Sequence, residues 1–77
     1  MKFRKGVLMP LIFAETGKAY TIARVGGNAE TKKHLEDMGF VTGAVVTVIS
    51  SLNGNLIVNI KDSRVALDRS LAGKITV

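Results

Sequence analysis

Apolar residues recur along this chain at two different spacings, and each change of spacing marks a change of element. From Lys18 to Val25 the run holds Tyr20, Thr21, Ile22 and Val25 and closes on Gly26-Gly27, a composition that predicts a first strand. The next segment is helical. Asn28 is a good N-cap, Glu30 falls in the first turn where the helix dipole favours an acid, and Lys32/Glu36 and Lys33/Asp37 are spaced as i,i+4 pairs. Leu35 and Met38 mark a buried stripe, Gly39 supplies a left-handed stop, and Phe40 follows where a Schellman contact falls, so the helix is placed at 29–38.

Past Gly43 the spacing shortens again. The runs 44–50 and 56–60 are almost wholly β-branched or aliphatic, and Asn53-Gly54 between them suits a type I′ turn, which predicts an antiparallel hairpin. A second turn at Asp62-Ser63 leads into a strand from Arg64 to Leu67; residues 68–72 have room for one helical turn, and 74–77 form a last strand. Alternation puts Ala44, Val46 and Val48 on one face with Leu56, Val58 and Ile60, and turns Val45, Thr47, Ile49 and Ile57 to the other. Five short antiparallel strands with one helix between the first and second are most economically closed as a small barrel of SH3-like shape. The fold class expected is therefore mainly β, with the barrel domain at 8–77 behind a basic N-terminal extension at 1–7.

Composition narrows the function more than the fold. Seventy-seven residues suffice for one small core, and 47% hydrophobic residues are enough to fill it. Without cysteine there is no disulfide, thiolate nucleophile or zinc finger. The net charge of +5 looks basic, but Lys2, Arg4 and Lys5 supply three of those charges and leave eight basic against six acidic residues elsewhere. The apolar run 7–14 behind that trio copies a secretion signal poorly, because Pro10 interrupts it and Ala14-Glu15-Thr16 is no cleavage site. Eight residues are also too few to span a bilayer, so a cytoplasmic location is expected.

Catalytic chemistry finds no footing. With a single histidine and scattered serines there is no nucleophile–base arrangement, and Glu30, Glu36 and Asp37 sit among lysines as on an ordinary solvated helix face. His34 has Glu30, Asp37 and Met38 within helical reach, yet stable transition-metal sites use several strong ligands, and Gly26-Gly27 lack the spacing and lysine of a phosphate loop. No catalytic, cofactor or metal residue is assigned, and the chain is expected not to be an enzyme. An exposed apolar face is the better candidate. Val45, Ile49 and Ile57, with Lys61 and Arg64 beside them, form the expected partner-binding surface, with Leu35, Met38 and Phe40 positioning the helix from beneath. The competing expectation is that the helix or the segment 8–13 covers this face.

The ordered set Gly17, Tyr20-Thr21-Ile22, Val25-Gly26-Gly27, then His34-Leu35, Met38-Gly39-Phe40-Val41-Thr42-Gly43, then Val46, Val48, Arg64-Val65-Ala66-Leu67 and Ile75-Thr76-Val77 resembles the ferrous iron transport protein A family, FeoA, over residues 8–77. The chain departs from the family pattern at Thr42, where proline is frequent, and at Met38, Asp62 and Asp68, where leucine, glycine and arginine often stand. The resemblance implies an SH3-like barrel. It also implies a small cytoplasmic accessory protein of bacterial ferrous iron uptake that binds and modulates a FeoB-type membrane permease carrying a GTPase domain, peripheral to the membrane through that partner, as a monomer or weak homo-oligomer. Similar domains end metal-dependent repressors, but this chain has no helix-turn-helix. The alternative is a small basic barrel binding nucleic acid. Scarce aromatics argue against it, since only Phe3, Phe13, Tyr20 and Phe40 are present to stack on bases.

Overall fold

The computed structural model describes residues 8–77; the basic trio at Lys2, Arg4 and Lys5 lies outside the described residues. The strands are β1 (Ala19–Thr21), β2 (Arg24–Val25), β3 (Val45–Leu52), β4 (Asn55–Ile60), β5 (Ser63–Leu67) and β6 (Ile75–Thr76), with helices α1 (Ala29–Asp37) and α2 (Arg69–Ala72) and a 3-10 turn at Leu11–Phe13. A four-stranded sheet in the order β1-β3-β4-β5 joins a two-stranded sheet of β2 and β6, and all pairings are antiparallel.

Among the described residues six strands stand where five are expected, because the first one breaks at a corner. Ile22 donates its N–H to the Ala44 carbonyl at 2.9 Å and accepts from Gly43 at 2.8 Å, whereas the Ala23 N–H already bonds to Thr76 at 2.7 Å. Within one residue the backbone changes partner from the β3 side to β6, and Ile22 turns into the core at 1% exposure. The main helix accordingly follows the second strand and not the first. Thr21 and Val25 are β-branched on either side of the corner, and neither glycine nor proline stands at it, so nothing local marks it.

The helix ends as its residues dictate. Asn28 accepts the Thr31 N–H at 2.8 Å, and Met38 is the C-cap, one residue beyond the last helical one. Gly39 has φ +104°, its N–H reaches the Glu36 carbonyl at 2.9 Å, and the Phe40 N–H reaches Leu35 at 3.0 Å, which is the Schellman pair. A side chain in that left-handed conformation costs about 1–2 kcal/mol. Gly39→Ala is therefore expected to lower the Tm by roughly 5–15 °C for a domain of this size, measured by thermal unfolding.

Two tight turns shape the large sheet. Asn53 and Gly54 take φ 55° and 87°, as a type I′ hairpin turn requires. The next turn is centred on Lys61 and Asp62, at φ 50° and 65°, and not on Asp62-Ser63, because Ser63 already pairs with Ile60. Inside, Leu11, Ile22, Leu35, Phe40, Val46, Val48, Leu56, Val58, Ile60, Leu67 and Ile75 form one closed core, so the inward face is the expected one. The segment before β1 lies against β6: Met9 and Val77 exchange two backbone hydrogen bonds, at 3.0 and 2.9 Å. No helix among the described residues is long and apolar enough to cross a membrane.

A candidate docking face on the four-stranded sheet

The outward face of the large sheet carries the residues expected to bind a partner, in an order set by strand register. Thr47, Asn59 and Arg64 form one row across β3, β4 and β5, and Ser50, Ile57 and Ala66 form the next. Ile49 sits where the β3–β4 register shifts between Val48 and Ser50, so it is the extra residue of a β-bulge beside Ile57. Val45, Ile49 and Ile57 remain 56%, 38% and 36% exposed, so the face is not fully covered.

The five residues do not form one continuous patch. Ile49 and Ile57 are neighbours and Arg64 lies one row away, but Thr47 separates Val45 from Ile49 along β3. Lys61 belongs to the turn, and its Cδ and Cε lie 3.4 and 3.7 Å from where a Gly39 Cβ would stand. Its stem thus packs across the end of α1 and carries the charge toward the negative end of that helix.

The bulge also brings in a residue that strict alternation assigns to the interior. With a regular β3, Leu52 shares the inner face of Val46 and Val48; one extra residue at Ile49 reverses the parity, and Leu52 stands 73% exposed opposite Asn55. Leu52, Ser50, Ile57, Ala66, Asp68 and Leu71 then line a groove of 560 Å³ between the hairpin and α2. Asp68 and Asn55 hold its far wall. The Asp68 Oδ1 accepts the Leu71 N–H at 2.8 Å as the N-cap of α2, and the Asn55 Oδ1 accepts the Arg69 N–H at 3.0 Å. Losing such a cap costs about 1 kcal/mol, so Asp68→Ala is expected to lower the Tm by about 4–8 °C in the same thermal assay.

Charged residues elsewhere are dispersed. Lys33 pairs with Asp37 at 3.5 Å and Lys18 with Glu15 at 3.4 Å, both largely solvated, while Lys32 and Glu36 stay apart. Among the described residues, no group of three or more His, Asp or Glu is placed to hold a metal ion. Tyr20 is half-buried, with its hydroxyl accepting the Glu15 N–H at 2.9 Å, and Phe40 is buried. Phe13 is the one exposed aromatic ring among the described residues.

Comparison with known proteins agrees with this architecture. The FeoA domain family matches residues 9–77. A "Putative Fe(2+) transport protein A" of Methanocaldococcus jannaschii is 33% identical over 70 residues, covering 91% of this chain and 85% of that protein. The crystal structure of an iron uptake regulatory protein, FeoA, superposes with a TM-score of 0.85 at 25% identity, over 92% of this chain and 96% of the other. The zinc-complexed FeoA of Stenotrophomonas maltophilia, described as a prokaryotic SH3 domain protein, superposes with a TM-score of 0.75 at 25% identity, over 87% and 86% of the two chains. A family match across residues 9–77, together with a relative 33% identical over 91% of the chain, makes this chain a member of the FeoA family, with its SH3-like fold.

Proposed function

We propose that this protein is a non-enzymatic, cytoplasmic accessory of ferrous iron uptake that binds a FeoB-type permease and modulates its GTPase-bearing part. The observation that carries the reading is the open apolar face at Ile49 and Ile57, bordered by Arg64, on a chain of the FeoA family. An exposed apolar patch rimmed by polar and charged residues is the usual mark of a protein–protein contact. A face of two isoleucines flanked by a cation suits a protein surface with apolar and acidic groups. It suits nucleic acid poorly, since Val45, Ile49, Ile57, Lys61 and Arg64 include no aromatic ring on which bases could stack, and Phe40 is buried.

Capture of detergent-solubilised permease on the immobilised protein tests this reading, with and without guanine nucleotide and across a salt series. Apolar docking is expected to retain the permease from about 50 to 200 mM salt, a range over which a phosphate-driven complex with six to ten contacts loses about 10³–10⁵ in affinity. Recovery of nucleic acid alone, released by salt, contradicts the proposal.

A further inference from the structure

Strand β5 is the outermost strand of its sheet, and one side of its backbone has no partner among the described residues. The turn before it determines which groups are left over. Ile60 and Ser63 flank the two-residue turn Lys61-Asp62, and a turn of that kind is closed by a hydrogen-bonded pair. Hydrogen-bonded and open pairs then alternate along an antiparallel ladder, and β4–β5 runs without a bulge through Asn59↔Arg64, Val58↔Val65 and Ile57↔Ala66. Val65 therefore bonds back to β4. Arg64 and Ala66 turn their N–H and C=O groups outward, two donors and two acceptors at the spacing of one more strand.

The side chains beside this edge specify what that strand carries. Arg64 and Ala66 both project on the outward face, and both are exposed. Ala66, being small, leaves open the groove that runs past it from Leu52 and Ile57 to Leu71. We infer that the β5 edge is a docking site for an extended peptide segment of a partner, added antiparallel, with a large apolar residue in the groove beside Ala66 and an acidic residue two positions later opposite Arg64. Main-chain bonds supply the pairing and alternate side chains the selectivity. A second copy of this chain fits less well. Self-pairing about Val65 lays each guanidinium over the partner's apolar groove, pairing about Arg64 opposes two like charges, and pairing about Ala66 sets Arg64 against Asp68, which lies beyond the end of β5 and already caps the Leu71 N–H.

The inference deepens the docking reading and rests on it for the partner's identity, not for the mode of binding. The test titrates the full chain, labelled with nitrogen-15, with the blocked peptide Thr-Val-Leu-Thr-Glu-Val-Thr up to about 1 mM, the range of a weak single-strand contact. Hydrogen exchange at the Arg64 and Ala66 amides is expected to slow about tenfold or more at saturation, with shifts at Leu52 and Ile57. Arg64→Glu is expected to weaken the peptide about fivefold, the size of a surface charge pair, and exchanging Leu and Glu in the peptide is expected to weaken it as well. Ala66→Pro removes one outward N–H without touching the ladder to β4 and is expected to abolish the slowing; Arg64→Glu keeps the test decisive where the proline variant does not fold. Absence of binding at 1 mM, shifts confined to other surfaces, or Arg64 and Ala66 amides already protected in a concentration-dependent dimer each overturn the inference. Failure of permease capture alongside successful peptide binding removes the named partner and leaves the edge mode standing.

Discussion

Phe40→Ala is expected to bring the protein to the edge of unfolding. Phe40 is the largest side chain of the core and has no exposed surface. It stands directly after the Schellman stop, where its backbone N–H closes the end of α1 on Leu35. Truncating a buried phenylalanine costs about 3–5 kcal/mol, from lost transfer energy and the cavity left behind. A chain of 77 residues has a total stability of about 4–12 kcal/mol. The variant is expected to melt at least about 15 °C lower, whereas Phe40→Leu, closer in volume, is expected to cost less than about 1.5 kcal/mol. Differential scanning calorimetry distinguishes the two. A drop of less than about 5 °C for the alanine variant means that the core does not depend on this ring.

Ile57→Glu is expected to do the opposite, sparing the fold and abolishing docking. Its side chain projects from the outward row between Ser50 and Ala66, above Leu56 and Val58 that fill the interior. Exchanging a strand isoleucine for glutamate on that face costs up to about 1 kcal/mol in β propensity, so the circular-dichroism spectrum is retained and the Tm shifts by about 5 °C. At a closed interface the same carboxylate loses its water with no cation directly across β4, since Arg64 faces Asn59 and not Ile57. A central interface position of this kind is worth about 2 kcal/mol or more, which predicts a loss of roughly thirtyfold or greater in permease affinity. Val45→Glu, beyond the polar residue Thr47, is expected to have a smaller effect, and the ratio of the two locates the centre of the face.

What the sequence reveals and what it hides divide along physical lines. The caps of α1, the Asn53-Gly54 hairpin and the inward set Val46, Val48, Leu56, Val58 and Ile60 are local signals, and each is found where its residues put it. The corner at Ile22 is not local. It exists because Ala44 and Thr76 lie on either side of one peptide unit, and no residue type at Ile22 or Ala23 records that. Lys61 in a left-handed turn is hidden for a related reason, since lysine has no preference for that geometry and is held there by the register of β4 with β5 and by packing on Gly39. At the candidate face, Ile49 and Ile57 follow from alternation alone, but the groove does not. Leu52 enters it only through the bulge, and Leu71 and Asp68 enter it from a helical turn that folds back under the hairpin.

The claim that this outward face meets the permease is tested most directly by photo-crosslinking from within it. Benzoylphenylalanine is placed at position 57, or at position 33 on the solvated side of α1 as a control, in cells carrying the ferrous iron permease, and the products are identified by mass spectrometry. A crosslink to the permease from position 57, with little from position 33, is the expected result. Crosslinking from position 33 with none from position 57 would contradict it, placing the partner on the helix and leaving the apolar face without a role in docking.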